Sequence, residues 1–121
     1  MKRTCIIGAS PNPSRYSYSA TKLLMDHGHE VIPVSIKKGM VEGQIILNIR
    51  DKPKIDDIDT LTLYINRYNQ VEWHDYFLAL KPKRIIFSPG AENQELNKLA
   101  QENGIETLEA CTLVMLHAGL Y

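Results

Sequence analysis

Short apolar runs alternate with amphipathic stretches along this chain, a rhythm that predicts strands alternating with helices. Cys5-Ile6-Ile7 is unbroken apolar, so a first strand over about Arg3 to Ile7 is expected to be buried on both faces, as in a parallel sheet. From Ser17 to His27, the residues Ala20, Leu23, Leu24 and His27 recur at helical spacing. Ser17 is the expected N-cap, and Gly28 supplies the left-handed position just past the end. Glu30 to Val34 predicts a second strand. Ile36 to Asp51 has no clear period and suggests at most a short extended piece over Gln44 to Leu47. Thr60 to Ile65, rich in Thr, Leu, Tyr and Ile, predicts a third strand.

Asn69-Gln70-Val71-Glu72 has capping-box spacing and predicts a helix to about Leu80, with Trp73, Phe77 and Leu80 on one side and Lys81-Pro82 ending it. Arg84 to Phe87 reads as a fourth strand, followed by the loop Ser88-Pro89-Gly90-Ala91 and a helix from Glu92 to Asn103. Ile105 to Leu108 is a fifth strand, and Thr112 to Ala118 a last helical segment. Crossovers of this length are right-handed, which implies an α/β fold of three layers: a five-stranded parallel sheet with helices on both faces, in the order 3-2-1-4-5. Ligands of such sheets bind outside the carboxyl ends of the strands at the switch point, here expected between strands one and four. There the loops Gly8 to Arg15 and Ser88 to Ala91 would meet.

Composition narrows the function. At 121 residues the chain is expected to be one domain, residues 1–121, burying roughly two thirds of its unfolded surface. Fourteen basic residues balance fourteen acidic ones, so no global field recruits nucleic acid or an anionic membrane. Any anion site must be local. Cys5 and Cys111 stand far apart, outside any Cys-x-x-Cys pair or Cys/His cluster, which points to a reduced, cytoplasmic protein and to no metal centre. The start of the chain lacks a signal-peptide apolar core, and no apolar run is long enough to span a bilayer.

The candidate chemistry lies in Gly8-Ala9-Ser10-Pro11-Asn12-Pro13-Ser14-Arg15, a turn between a strand and a helix, the layout that aims backbone N–H groups at an anion. Dinucleotide loops use three glycines, whereas only Gly8 is glycine here. Ser10, Asn12, Ser14 and Ser17 offer side-chain donors instead, and Arg15 adds a planar cationic fork suited to phosphate. An ordinary turn built from common turn formers would share this composition. After strand two, where a dinucleotide site carries Asp or Glu for the ribose hydroxyls, the chain has Ser35-Ile36-Lys37-Lys38-Gly39. The two lysines would suit a nucleotide with an extra ribose phosphate, such as NADP or coenzyme A. They also suit a plain exposed turn.

Catalytic candidates are few. His27 and His29 flank the end of the first helix, away from the expected crevice; His74 lies mid-helix, and His117 has no evident partner. Glu92 is expected to serve its helix N-terminus, and Asn66 and Arg67 fall at the ligand edge of the sheet. Cys111, before a helix, either faces the crevice, where it could form a mixed disulfide with a pantetheine thiol, or is a small buried residue. Cys5 reads as buried.

Gly8 to Arg15, Val31-Ile32-Pro33-Val34 with the basic glycine turn after it, Gly43, and Ser88-Pro89-Gly90-Ala91-Glu92-Asn93 together resemble the stand-alone CoA-binding domain family, which is similar to the nucleotide-binding domain of the succinyl-CoA synthetase α subunit. The resemblance runs from about Thr4 to Thr112. It departs at Ser35-Ile36, where many members read Asn-Pro, and at Thr112, where many have Pro. It implies a Rossmann-like domain for CoA or acyl-CoA. The pyrophosphate would lie on Gly8, Ala9, Ser10, Asn12, Arg15 and Ser17, the adenosine beside Val34, Ser35 and Lys38, and Ser88, Pro89 and Gly90 would line the crevice. The expected role is binding, sensing or assisting a partner, without chemistry of its own. Two rivals stay open: a small NADP-linked oxidoreductase or its cofactor half, and an interaction module using Trp73, Tyr76 and Tyr121 to form a homodimer or dock on a larger enzyme.

Overall fold

In a computed structural model that describes residues 1–121, the first apolar run forms β1 (Thr4–Ile7), with every side chain buried. It leads to α1 (Tyr16–Asp26) and β2 (Val31–Ser35). The segment without a clear period folds into an antiparallel hairpin, β3 (Met40–Val41) and β4 (Gln44–Ile45), followed by β5 (Leu47–Asn48) and a 3-10 turn over Ile49–Asp51. Then come β6 (Thr60–Leu63), α2 (Arg67–Gln70), a 3-10 turn over Val71–Trp73, α3 (His74–Ala79), β7 (Arg84–Phe87), α4 (Gln94–Glu102), β8 (Glu106–Glu109) and α5 (Thr112–His117). No helix is long and apolar enough to cross a membrane.

The expected parallel sheet with helices on both faces is present, with two corrections. It has six strands rather than five, in the order β5-β2-β1-β6-β7-β8. The place beside β2 that the sequence reading gave to the Thr60 strand is filled by β5, through Val34↔Leu47 and Ser35↔Asn48. With that edge taken, β6 pairs with β1 instead, Thr4 opposite Thr60 and Ile7 opposite Leu63. Counting β5 as the third strand, the order reads 3-2-1-4-5-6. The switch point therefore lies between β1 and β6, and the Ser88 to Ala91 loop stands one strand farther out.

Alternation along the strands splits the core. Cys5, Ile7, Leu61, Leu63, Ile85 and Phe87 pack on one face against Trp73, Phe77, Leu96 and Ala100, while Ile6 and Val31 meet Ala20, Leu24 and Leu116 on the other. Burial pushes the Cys5 thiol up to about 12, so it is an inert core residue. Thr60, Thr62 and Arg84 also point to the second face and are buried there. Thr62 Oγ1 bonds Thr112 Oγ1 at 3.0 Å, and Arg84 Nε donates to Thr60 Oγ1 at 2.6 Å, so their polar atoms are satisfied.

Helix starts also differ from expectation. Asn66, not Asn69, caps α2, its Oδ1 accepting from Asn69 N at 3.0 Å, and the helix is broken by the 3-10 turn before α3. Asn93 caps α4 by accepting from Leu96 N, so that helix starts after Glu92.

Candidate functional site

At the carboxyl end of β1 the chain turns sharply at Gly8, where φ is +91°. A Cβ there would lie 2.8 Å from Ile65 Cγ2 and 2.9 Å from the Tyr64 carbonyl oxygen, so only glycine lets the strand ends at the switch point close on each other. The loop beyond is folded on itself. Ser10 Oγ accepts from Asn12 N at 3.1 Å, Asn12 Oδ1 accepts from Ser14 N at 3.0 Å and Ser14 Oγ at 2.8 Å, and Asn12 O accepts from Arg15 N at 3.1 Å. These turns place the N-cap of α1 two residues earlier than expected. Arg15 is the N-cap in extended conformation, makes no side-chain cap, and Ser17 sits inside the first turn.

Gly8 and Ala9 give their N–H groups to the Val34 carbonyl, which ties the loop to β2. The N–H groups of Ser10, Tyr16 and Ser17 have no acceptor within the chain. A cleft of about 270 Å³ opens in front of this loop, lined by Gly8, Ser10, Arg15, Tyr16, Ser17, Lys37, Tyr64, Ile65, Asn66, Pro89, Gly90 and Ala91. Its cations, Arg15 and Lys37, take part in no ion pair, since the chain's two salt bridges are Arg3–Glu30 and Arg84–Asp59. No carboxylate lines it. Amides without acceptors at an uncapped helix start, two cations outside any ion pair and no carboxylate give this cleft a locally positive lining in a chain of zero net charge.

A narrower slot of about 150 Å³ adjoins it across Gly8 and Ile65. Ile7, Ile36, Ile49 and Trp73 give it apolar walls, and Ser35, Arg50, Asn69 and Glu72 a polar rim. That combination suits a flat heteroaromatic ring with hydrogen-bonding edges. Gly39 holds the neighbouring β2 turn against the loop: a Cβ on it would lie 3.0 Å from Pro11 Cβ, at a φ of +137°.

The far wall is built from the turn after β7. Its backbone is braced internally: Gly90 N donates to Glu92 Oε1 at 2.9 Å, and Ala91 N to Ser88 O at 2.8 Å. Gln70 Nε2 donates to both the Ile65 and Ala91 carbonyls, at 2.8 and 2.7 Å, and so staples this wall to the segment after β6. Asn93 Nδ2 in turn donates to Gln70 Oε1 and meets His74 Nε2 at 3.1 Å. His74 thus belongs to a buried structural network, and Glu92 braces a loop rather than its helix.

Of the residues singled out from sequence, Gly8, Ser10, Arg15, Ser17, Pro89 and Gly90 line the cleft and Ser35 the slot. Ala9 and Val34 are fully buried behind them, and Asn12 is an exposed loop brace. Lys38 is exposed and lines neither space, whereas Lys37 lines the cleft. Ser88 and the half-buried Cys111 line a separate hollow beside the cleft. Tyr16, Tyr64, Ile65, Ile49, Arg50 and Glu72 had not been singled out. Tyr64 and Ile65 follow β6, and placing that strand beside β1 would have brought them in; Ile49 and Arg50 depend on a 3-10 turn with no period to betray it.

Three solved structures match this architecture over 83% or more of their own lengths. A crystal structure of an uncharacterized protein is 54% identical, with a TM-score of 0.97, covering 100% of this chain and 98% of that one. A hypothetical protein from Pyrococcus horikoshii OT3 is 27% identical, with a TM-score of 0.84 over 98% of this chain and 83% of that one. A conserved hypothetical protein from Pyrococcus furiosus is 26% identical, with a TM-score of 0.77 over 94% and 98%. These likenesses leave the family to be read from the sequence itself, where the model of the CoA binding domain matches residues 2–117, and the chain belongs to that family.

Proposed function

We propose that the chain binds coenzyme A or an acyl-CoA in the cleft between β1 and β6, and acts there as a binding, sensing or accessory protein. The observation that carries this reading is the convergence of three unpartnered N–H groups, those of Ser10, Tyr16 and Ser17, with the unpaired Arg15 and Lys37 on one cleft. They suit a pyrophosphate. The adenine enters the slot walled by Ile36, Ile49 and Trp73, and the pantetheine arm leaves past Pro89 and Gly90. Arg50, on the rim of that slot, takes the ribose phosphate. The two free thiols fit a cytoplasmic setting.

Calorimetry with CoA and dephospho-CoA tests this assignment. CoA is expected to bind at least about tenfold more tightly, since a charge-assisted hydrogen bond to phosphate contributes roughly 1.5–3 kcal/mol. Arg50→Ala should remove most of that difference and Lys38→Ala little, while Lys37→Ala weakens both ligands alike. Equal affinity for the two ligands would leave the basic rim without a role, and absence of binding by either would refute the proposal.

A further inference from the structure

The hollow beside the cleft holds about 300 Å³ and is lined by Tyr16, Tyr64, Ser88, Pro89, Cys111 and Leu113. It shares Tyr16, Tyr64 and Pro89 with the cleft, so the two spaces adjoin. Its walls are mainly apolar, with one exception. Ser88 Oγ and Tyr64 Oη are both buried with no hydrogen-bond partner, and Ser88 is only 2% exposed. They are the chain's two orphaned hydroxyls.

Register puts them side by side. Leu63 is paired with Phe87 at the ends of β6 and β7, and Tyr64 and Ser88 are the next residues on those parallel strands. The hydroxyls of Ser88, Thr112 and Thr62 lie nearby, none of them in hydrogen-bonding geometry with Tyr64 Oη. Burial raises the Tyr64 pKa, which keeps its proton available for donation. Even with one hydroxyl turned to donate to the other, the second O–H lacks an acceptor, which is costly in a folded protein unless something else accepts from it. A carbonyl oxygen has two lone pairs and can take both, whereas a thiol sulfur is a weak acceptor. At about 30 Å³ for each water-sized group, the space takes on the order of ten non-hydrogen atoms, enough for the sulfur end of a pantetheine arm and a short acyl chain. Tyr16 and Pro89, both exposed, stand between the hollow and the cleft.

We propose that this hollow receives the acyl end of a short-chain acyl thioester, with Ser88 and Tyr64 donating to its carbonyl oxygen, so that the protein prefers acyl-CoA to free CoA. The inference rests on the nucleotide reading of the cleft. Leu113 and Cys111 border the alkyl part, and no bond is made or broken.

The test is calorimetry of the full chain with CoA, acetyl-CoA and S-ethyl-CoA, a thioether of similar shape that lacks the carbonyl oxygen. Acetyl-CoA is expected to bind about tenfold more tightly than the thioether. Ser88→Ala and Tyr64→Phe should each shrink that ratio, and together erase it. The readout is the ratio of acetyl-CoA to thioether affinity, and Tm should not fall, because each deleted hydroxyl was unpartnered. Equal binding of acetyl-CoA and the thioether by the unmodified chain overturns the proposal, whatever the variants do. Variants that weaken CoA and acetyl-CoA alike also overturn it, by assigning the hydroxyls to the pantetheine amides. Tight CoA binding without an acyl preference sinks this inference alone, whereas no binding of any of the three sinks the cleft reading beneath it.

Discussion

Two turns leave carboxyl ends of the same sheet and each enters a helix, yet they treat their backbone in opposite ways. After β7, nearly every polar group is spoken for: Glu92 takes the Gly90 N–H, Asn93 caps α4, and Gln70 takes the Ala91 carbonyl. After β1, the side-chain oxygens of Ser10 and Asn12 are spent on bracing the loop, and α1 begins with Arg15 as an N-cap that does no capping. One turn is a finished wall. The other has its donors left over, which in an isolated chain is a cost and with an anion in place becomes affinity.

The contrast yields graded outcomes. Gly8→Ala should be the most damaging change, because left-handed strain and the clash with Ile65 and the Tyr64 carbonyl add to about 4 kcal/mol; urea unfolding would measure it. Asn93→Leu on the satisfied wall should cost about 2–3 kcal/mol of stability, through a lost cap and the groups of Gln70 and His74 left unpaired. Arg15→Asp should move stability and binding in opposite directions. The carboxylate caps α1 and adds about 1 kcal/mol to stability, while CoA affinity falls at least about tenfold. Should Arg15→Asp lower stability instead, the uncapped start of α1 would not be the site's reserve of donors.

The smallest effect lies at the opposite end of the sheet, where it serves as a control. Burial first, then the N-terminal amine, His27, Lys2 and Arg84, hold the His29 imidazole below its ordinary pKa, and its Nδ1 accepts from Lys2 N at 2.9 Å. The unfolded chain binds the proton more readily, so stability should decline as pH falls below about 6.5 toward the lowered pKa. His29→Gln should flatten that decline in thermal melts at pH 5–7 without altering CoA affinity, since His29 lines neither space.

Much of this was legible in the residues. Cys5-Ile6-Ile7 and Ile85-Ile86-Phe87 announce strands buried on both faces, and the run from Gly8 to Arg15 announces a turn into a helix. The strand order was harder, because it depends on β5, two residues long with Leu47 partly buried and Asn48 exposed, in which hydrophobic period has no room to show. Placing the Thr60 strand one position away hid Tyr64 and Ile65 from the site. Lys37 and Lys38 are indistinguishable as a pair of letters; the turn in which Ser35 Oγ accepts from Lys37 N at 3.1 Å accompanies the one that lines the cleft. Ser17 suggested a cap by its chemistry, but the Asn12 turn had already delivered Arg15 to that position.

The account is tested most directly by following every backbone amide by NMR while CoA is titrated in. Saturable downfield shifts at Ser10, Tyr16 and Ser17, with Leu96 nearly still, are the predicted result. Saturable binding that leaves those three amides unmoved, or no binding at millimolar CoA, would contradict it.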